Sequence, residues 1–207
     1  MRTKAIPVYT YDELSDEAKE QVRSWWSQGI NYDNVVEDAA TIAKLFGLDI
    51  YNTRKTLMGG GHRYDPTVYF SCFWSQGDGA CYEGDYRYQK GGLKAVEQYA
   101  PLDKELHRIV AGLQDVQRRH FYRLTASTKQ RGHYQHSGCM QVEVQDSEDP
   151  YRNIGDAEDE VTQLLRDFAD WIYVRLEEEY EYQSSDECVK ETCHANGYEF
   201  YEDGSIA

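Results

Sequence analysis

Residues 156–183 read DAEDEVTQLLRDFADWIYVRLEEEYEYQ. Val161, Leu164, Leu165, Phe168, Trp171, Ile172 and Leu176 recur there at three- and four-residue spacing, the period of one buried helical face. A single helix is therefore expected from Asp156, and at ~1.5 Å per residue its length is roughly 40 Å. The carboxylates Asp156, Glu158, Asp159, Glu160, Asp167 and Asp170, followed by Glu177, Glu178, Glu179 and Glu181, fall mostly off the apolar stripe. They are expected to project together into solvent, interleaved with Tyr173, Tyr180 and Tyr182.

Working outward from this helix, SEDPYRNIGDAEDE at 147–160 reads as a hinge, and FYRLTAST (121–128) with HSGCMQVEVQ (136–145) reads as a strand pair turning around Lys129 to Gly132. Earlier still, Leu93 and Val96 mark one helix, and Leu102, Leu106, Ile109, Val110, Leu113 and Val116 mark another, with Pro101 interrupting the ladder between them. Three period-two stretches, LDIYNTRKTL (48–57), TVYFSCFW (67–74) and ACYEGDYRY (80–88), read as three strands of one antiparallel sheet. At the start, TYDELSDEAKEQVRSWWSQG (10–29) carries a capping Ser15, acidic Asp16 and Glu17 in the first turn and a stopping Gly29. A second helix from Asp33 to Gly47 should complete a helical hairpin with it. The chain ends in a helix from Ser185 and a short GYEFYEDG strand and turn (197–204). The expected fold is α+β, an antiparallel sheet of about five strands flanked by about five helices. It forms one domain over 1–207, within which 156–207 would be an acidic helical subdomain.

The 207 residues hold 22 Lys and Arg against 37 Asp and Glu, a formal charge of −15. Such a surplus opposes phosphate binding, so direct contact with nucleic acid is not expected and a basic partner is. The imbalance is local. Residues 1–145 hold 18 acids and 18 bases, whereas residues 146–207 hold 19 acids and four bases, Arg152, Arg166, Arg175 and Lys190. Hydrophobic residues at 40% and aromatics at 14%, eighteen Tyr among them, exclude a disordered acidic tail. A chain of this length buries roughly 70% of its unfolded surface without help from disulfides or metals.

Five Cys without paired spacing and no apolar leader point to a reducing cytoplasm, and no membrane span is expected. A zinc site would have to gather His133, His136, Cys139, Cys188, Cys193 and His194. On a strand His133 and His136 face opposite ways, and no C-x-x-C knuckle is present, so no metal and no cofactor is expected.

One glycine motif stands apart. Ser75, Gln76, Gly77, Asp78 and Gly79 link two aromatic-rich stretches, and their amides could form a nest for an anion or small ligand, walled by Trp74, Tyr82 and Tyr86. The competing reading is a turn whose glycines serve conformation alone. No phosphate-loop, dinucleotide, nucleophile-elbow or H-E-x-x-H motif occurs, so enzymatic activity is not expected.

Three segments carry a resemblance: YTYDELSDEAKEQVRSWW (9–26), FSCFWSQGDGACYEG (70–84) and RDFADWIYVRLEEEYEYQSSDECVKETCHANGYEFYEDG (166–204). Together they resemble an uncharacterised family encoded mainly by bacteriophages and prophages, some members of which carry the label of antitoxin in a toxin–antitoxin system. The resemblance implies a setting, the host cytoplasm, and no catalytic residues. Phage accessory proteins of this kind often block host defence machinery, whose working surfaces are basic. The expectation that follows is an inhibitory binding protein whose acidic C-terminal face engages a basic nucleic-acid-handling host protein, as an anti-CRISPR or anti-restriction factor does. The alternatives are a nucleotide or small-ligand site at the SQGDG turn, antitoxin action on a basic toxin, and an acidic face that serves only solubility. A tyrosine-rich surface would also suit a homodimer.

Overall fold

A computed structural model describes residues 5–71 and 73–207. Cys72, counted among the cysteines and placed in the expected strand 67–74, lies outside the described residues. Among the described residues the fold is α+β, with six α-helices and eight strands. The helices are α1 (Asp16–Ser27), α2 (Asp33–Phe46), α3 (Gly92–Tyr99), α4 (Lys104–Arg119), α5 (Ala157–Ser184) and α6 (Asp186–Asn196). The strands are β1 (Leu48–Ile50), β2 (Asn52–Thr56), β3 (His62–Pro66), β4 (Val68–Phe70), β5 (Ala80–Tyr82), β6 (Gly84–Arg87), β7 (Leu124–Gln130) and β8 (Met140–Asp146). The chain forms two compact units, one of Asp33–Arg175 and one of Met1–Tyr32 with Leu176–Ala207. Helices α1 and α2, expected as a hairpin, belong to different units.

In the unit Asp33–Arg175 the sheet differs from the expected one of about five strands. A four-stranded antiparallel sheet runs β1-β6-β7-β8, and β2–β3 and β4–β5 form separate two-stranded ribbons. The cause is a three-way junction. Tyr51 parts β1 from β2, Thr67 parts β3 from β4 and Glu83 parts β5 from β6, and the strands on either side of each pair with different neighbours; β3 lies outside the three expected stretches. The three residues close a ring of main-chain bonds, Tyr51 N–H to Glu83 C=O (2.9 Å), Glu83 N–H to Thr67 C=O (3.1 Å) and Thr67 N–H to Tyr51 C=O (2.7 Å). Here a residue gives its donor to one strand and its acceptor to another. Gly84 beside the ring is required, because a Cβ there would lie 2.5 Å from Asp49 O.

The helices pack on one face of that sheet. Phe168 of α5 meets Phe46 at 5.1 Å and Tyr82 at 5.8 Å between ring centroids, and the Tyr82 hydroxyl donates to Leu165 C=O at 2.9 Å. Asp103 caps α4 by accepting from Leu106 N–H (2.9 Å), and its other oxygen accepts from Trp171 Nε1 (2.8 Å), tying α4 to α5. The opposite face of the sheet is polar and open. Asp49, Asp85, Ser127 and Glu143 stand directly opposite one another across its four strands.

In the other unit, α1 starts as expected, with Ser15 Oγ accepting from Ala18 N–H at 3.2 Å. Tyr11, Leu14, Ala18, Val22, Val189, Cys193 and Phe200 make its core. The expected final strand is reduced to isolated bridges of Phe200 with Tyr9 and Ile206.

Candidate functional site

The acidic residues of α5 do not share one environment. In the unit Asp33–Arg175, Arg119 of α4 donates to the two oxygens of Glu160 from Nη1, at 3.0 Å, and Nη2, and Arg108 reaches Asp167 at 2.6 Å while also holding Glu105. The Arg119 hydrogen bond holds the Glu160 carboxyl below its ordinary pKa. These two carboxylates of the expected face are therefore neutralised by α4. Asp170 behaves differently. Burial raises its pKa, against a lowering hydrogen bond from Ser137. Tyr173 is spent on packing, its ring 5.5 Å from that of Phe73. Asp156, Glu158 and Asp159 remain exposed at the start of α5, where the helix dipole favours negative charge.

The second unit is more one-sided. Residues 1–32 and 176–207 hold fifteen acids and five bases, so ten of the fifteen surplus charges reside in 64 of 207 residues. Its described cations are already occupied. Arg23 bonds Glu20 (2.6 Å) and Asp186 (2.7 Å), Lys190 bonds Asp12 (2.7 Å), and Lys19 lies 5.7 Å above the Tyr11 ring. The Tyr11 hydroxyl also donates to Asp186 at 2.5 Å. Burial first, and then Asp186, push the Tyr11 pKa up to about 12. Glu178, Glu181 and Tyr182 of the α5 end are exposed, as are Asp16, Glu17, Glu187 and Glu191 on α1 and α6. Glu177, Glu179 and Tyr180 are half-buried, with Glu179 accepting from Gln183 Nε2 at 2.5 Å. Charge complementarity is the chemistry this surface offers: it attracts cationic groups over a Debye length of roughly 8 Å and presents the Tyr182 ring for Arg stacking.

At the glycine motif the amides are answered from within. Asp78 Oδ2 accepts from Trp74 N–H (2.9 Å) and Ser75 N–H (2.5 Å), so the nest expected to hold a ligand holds its own aspartate. Gly77 has φ +103°, and a Cβ on Gly79 would lie 2.5 Å from His136 Cβ, so both glycines answer to conformation and close packing. Ser75 and Gln76 are exposed in this loop. Trp74 is exposed beside it, whereas Tyr82 and Tyr86, expected as its walls, are buried in the core.

Two polar groupings escaped the sequence reading. The first is the open sheet face, where Asp85, Arg87, Ser127, Glu143 and Gln145 line a depression of about 310 Å³. Alternation of polar residues at 125, 127 and 129 and at 141, 143 and 145 was its signal. The second is Cys139. Residues 137–139 form a 3-10 turn where a strand was expected, and this brings Cys139 Sγ to 3.5 Å from His136 Nε2. Among the described residues, no three His, Cys, Asp or Glu side chains converge as a metal site, and no helix is long and apolar enough to cross a membrane.

A family model described as a domain of unknown function, DUF8835, matches residues 31–186, about three quarters of the chain. The chain belongs to the DUF8835 family. The matched region covers the β junction, the SQGDG loop and α5, and leaves α1 and most of α6 of this DUF8835 protein outside it. No curated protein and no solved structure matches the chain.

Proposed function

We propose that this DUF8835 protein is a phage-encoded inhibitory binding protein that occupies the basic surface of a nucleic-acid-handling host defence protein. The reading assigns it no reaction. One observation carries it: ten surplus negative charges in the unit of residues 1–32 and 176–207, whose described cations are all engaged internally. A surface whose described cations are already engaged gains most from a partner that brings its own. In the unit Asp33–Arg175, Asp156, Glu158 and Asp159 offer a smaller acidic group of their own; Glu160 and Asp167 do not contribute, because Arg119 and Arg108 already answer them.

The test compares two triple charge reversals with the unaltered chain as baits in a lysate of phage-infected cells. Glu177, Glu178 and Glu179 changed to Lys should abolish capture and slow association of whatever is captured, and raising salt should release it steeply. Reversal of Asp156, Glu158 and Asp159 should have the smaller effect. Capture that is insensitive to salt and to the first triple would overturn the reading.

A further inference from the structure

Strand β8 is an edge of the four-stranded sheet, and it is long. Arg131 N–H donates to Cys139 C=O and Ser147 N–H to Arg123 C=O, which fixes the parity of the β7–β8 ladder. Residues 141, 143 and 145 spend their main-chain groups on β7, while Met140, Val142, Val144 and Asp146 direct theirs outward. The outward carbonyl of Met140 accepts from Arg166 Nη2 at 3.1 Å. No described residue bonds the outward groups of Val142 or Val144. The opposite edge, β1, has three residues and is continued by the Tyr51 junction, so the two edges are not equivalent. Of the devices that discourage edge pairing β8 carries few: MQVEVQD has no Pro, no Lys and no bulge, and of its two charged residues the buried Asp146 is already answered by the Glu148 and Asp149 amides and Arg152.

We propose that the outer edge of β8 is a homodimer interface, pairing antiparallel with β8 of a second copy about a two-fold axis at Val144. The occupant follows from the side chains. Centring the axis on residue 143 would set Glu143 against its own copy, and like charges directly opposite are unfavourable. Centring it on residue 142 would require Met140 C=O, which Arg166 already caps. Centring it on Val144 leaves that end free and sets Val142 opposite Asp146. It also sets Glu143 opposite Gln145 twice, a carboxylate accepting from an amide on the open face. Roughly six main-chain bonds then join the two sheets into one of eight strands.

The interface goes beyond the acidic surface and responds oppositely to salt. Two chains of charge −15 repel, so self-association should strengthen as salt screens them, whereas capture of a basic partner should weaken. Sedimentation equilibrium of the full chain, at low and high salt, is the measurement. Val144→Pro removes an N–H that no bond inside the protein uses, and it should abolish the dimer. Gln145→Glu, at an exposed position, places a carboxylate opposite Glu143 of the second copy and should weaken the dimer about five- to thirtyfold. Gln98→Glu, the same change at an exposed position of α3, should leave it unchanged. A chain that is monomeric at every concentration and salt overturns the proposal. So does a dimer indifferent to both Val144→Pro and Gln145→Glu, or one that dissociates as salt rises.

Discussion

Gln117 is fully buried and stands in for a missing strand. Even-numbered residues of β7 bond toward β6, but β6 ends at Arg87 opposite Thr125, so Leu124 has no strand beside it. The Gln117 carboxamide supplies both bonds instead, Nε2 donating to Leu124 C=O at 2.7 Å and Oε1 accepting from Leu124 N–H at 3.2 Å. Gln117→Leu preserves the volume and orphans both groups. At about 1–3 kcal/mol for each of the two buried unpaired polar groups, and with roughly 1 kcal/mol regained from added apolar burial, the expected loss is about 1–5 kcal/mol. Urea unfolding gives the loss as a shift in midpoint, and the Leu124 amide, followed by hydrogen exchange, should lose protection by a comparable free energy. The same residue accepts from Tyr122 N–H through its own carbonyl at 2.7 Å, steadying a turn where Phe121 and Tyr122 both have positive φ. A midpoint shift under about 0.5 kcal/mol with an unchanged Leu124 amide would show that water or another group replaces the carboxamide, and the reasoning would be wrong.

Three further outcomes follow. Because Tyr11 titrates at about 12 when folded against about 10 when unfolded, its contribution is complete below about pH 10 and is lost as pH rises through about 12. Tyr11→Phe should flatten that alkaline loss in unfolding midpoints of the unit containing α1 and α6. Among the described thiols, Cys139 should be alkylated first by iodoacetamide and slowed by His136→Gln, while Cys81, pushed up to about 12 by burial, should be labelled only on unfolding. Peptide mass spectrometry over time reads both. Asp78→Ala should speed exchange of the Trp74 and Ser75 amides and leave partner capture intact; capture lost with those amides still protected would restore a ligand role to the loop.

Local rules were legible in the sequence and pairing was not. The Ser15 cap, the stop at Gly47 and the apolar stripe of α5 are written within a few residues, so they read directly. The extended character of 48–57 and 80–88 also read correctly, whereas 67–74 is a strand only at Val68–Phe70 among its described residues and β3 was missed; the change of partner at Tyr51, Thr67 and Glu83 is a matter of where main-chain groups point. Side-chain alternation continues through such a break and gives no sign of it. The charge surplus was legible as a sum, whereas its neutralisation at Glu160 and Asp167 depends on Arg119 and Arg108, 41 and 59 residues away in the chain. The glycine motif was legible as a turn, and only Asp78 Oδ2 shows what fills it.

The ring at Tyr51, Thr67 and Glu83 also bears on how the chain reaches its native state. The hairpin of β2 and β3 can zip up by itself and makes the bond between Tyr51 and Thr67, but β1 and β4 have no partner until β5 and β6 arrive. During synthesis, the outer halves of the first two segments must wait until Glu83 has left the ribosome. Closure of the longer loops falls on that later event, so completion of the ring should be slower in refolding than the hairpin.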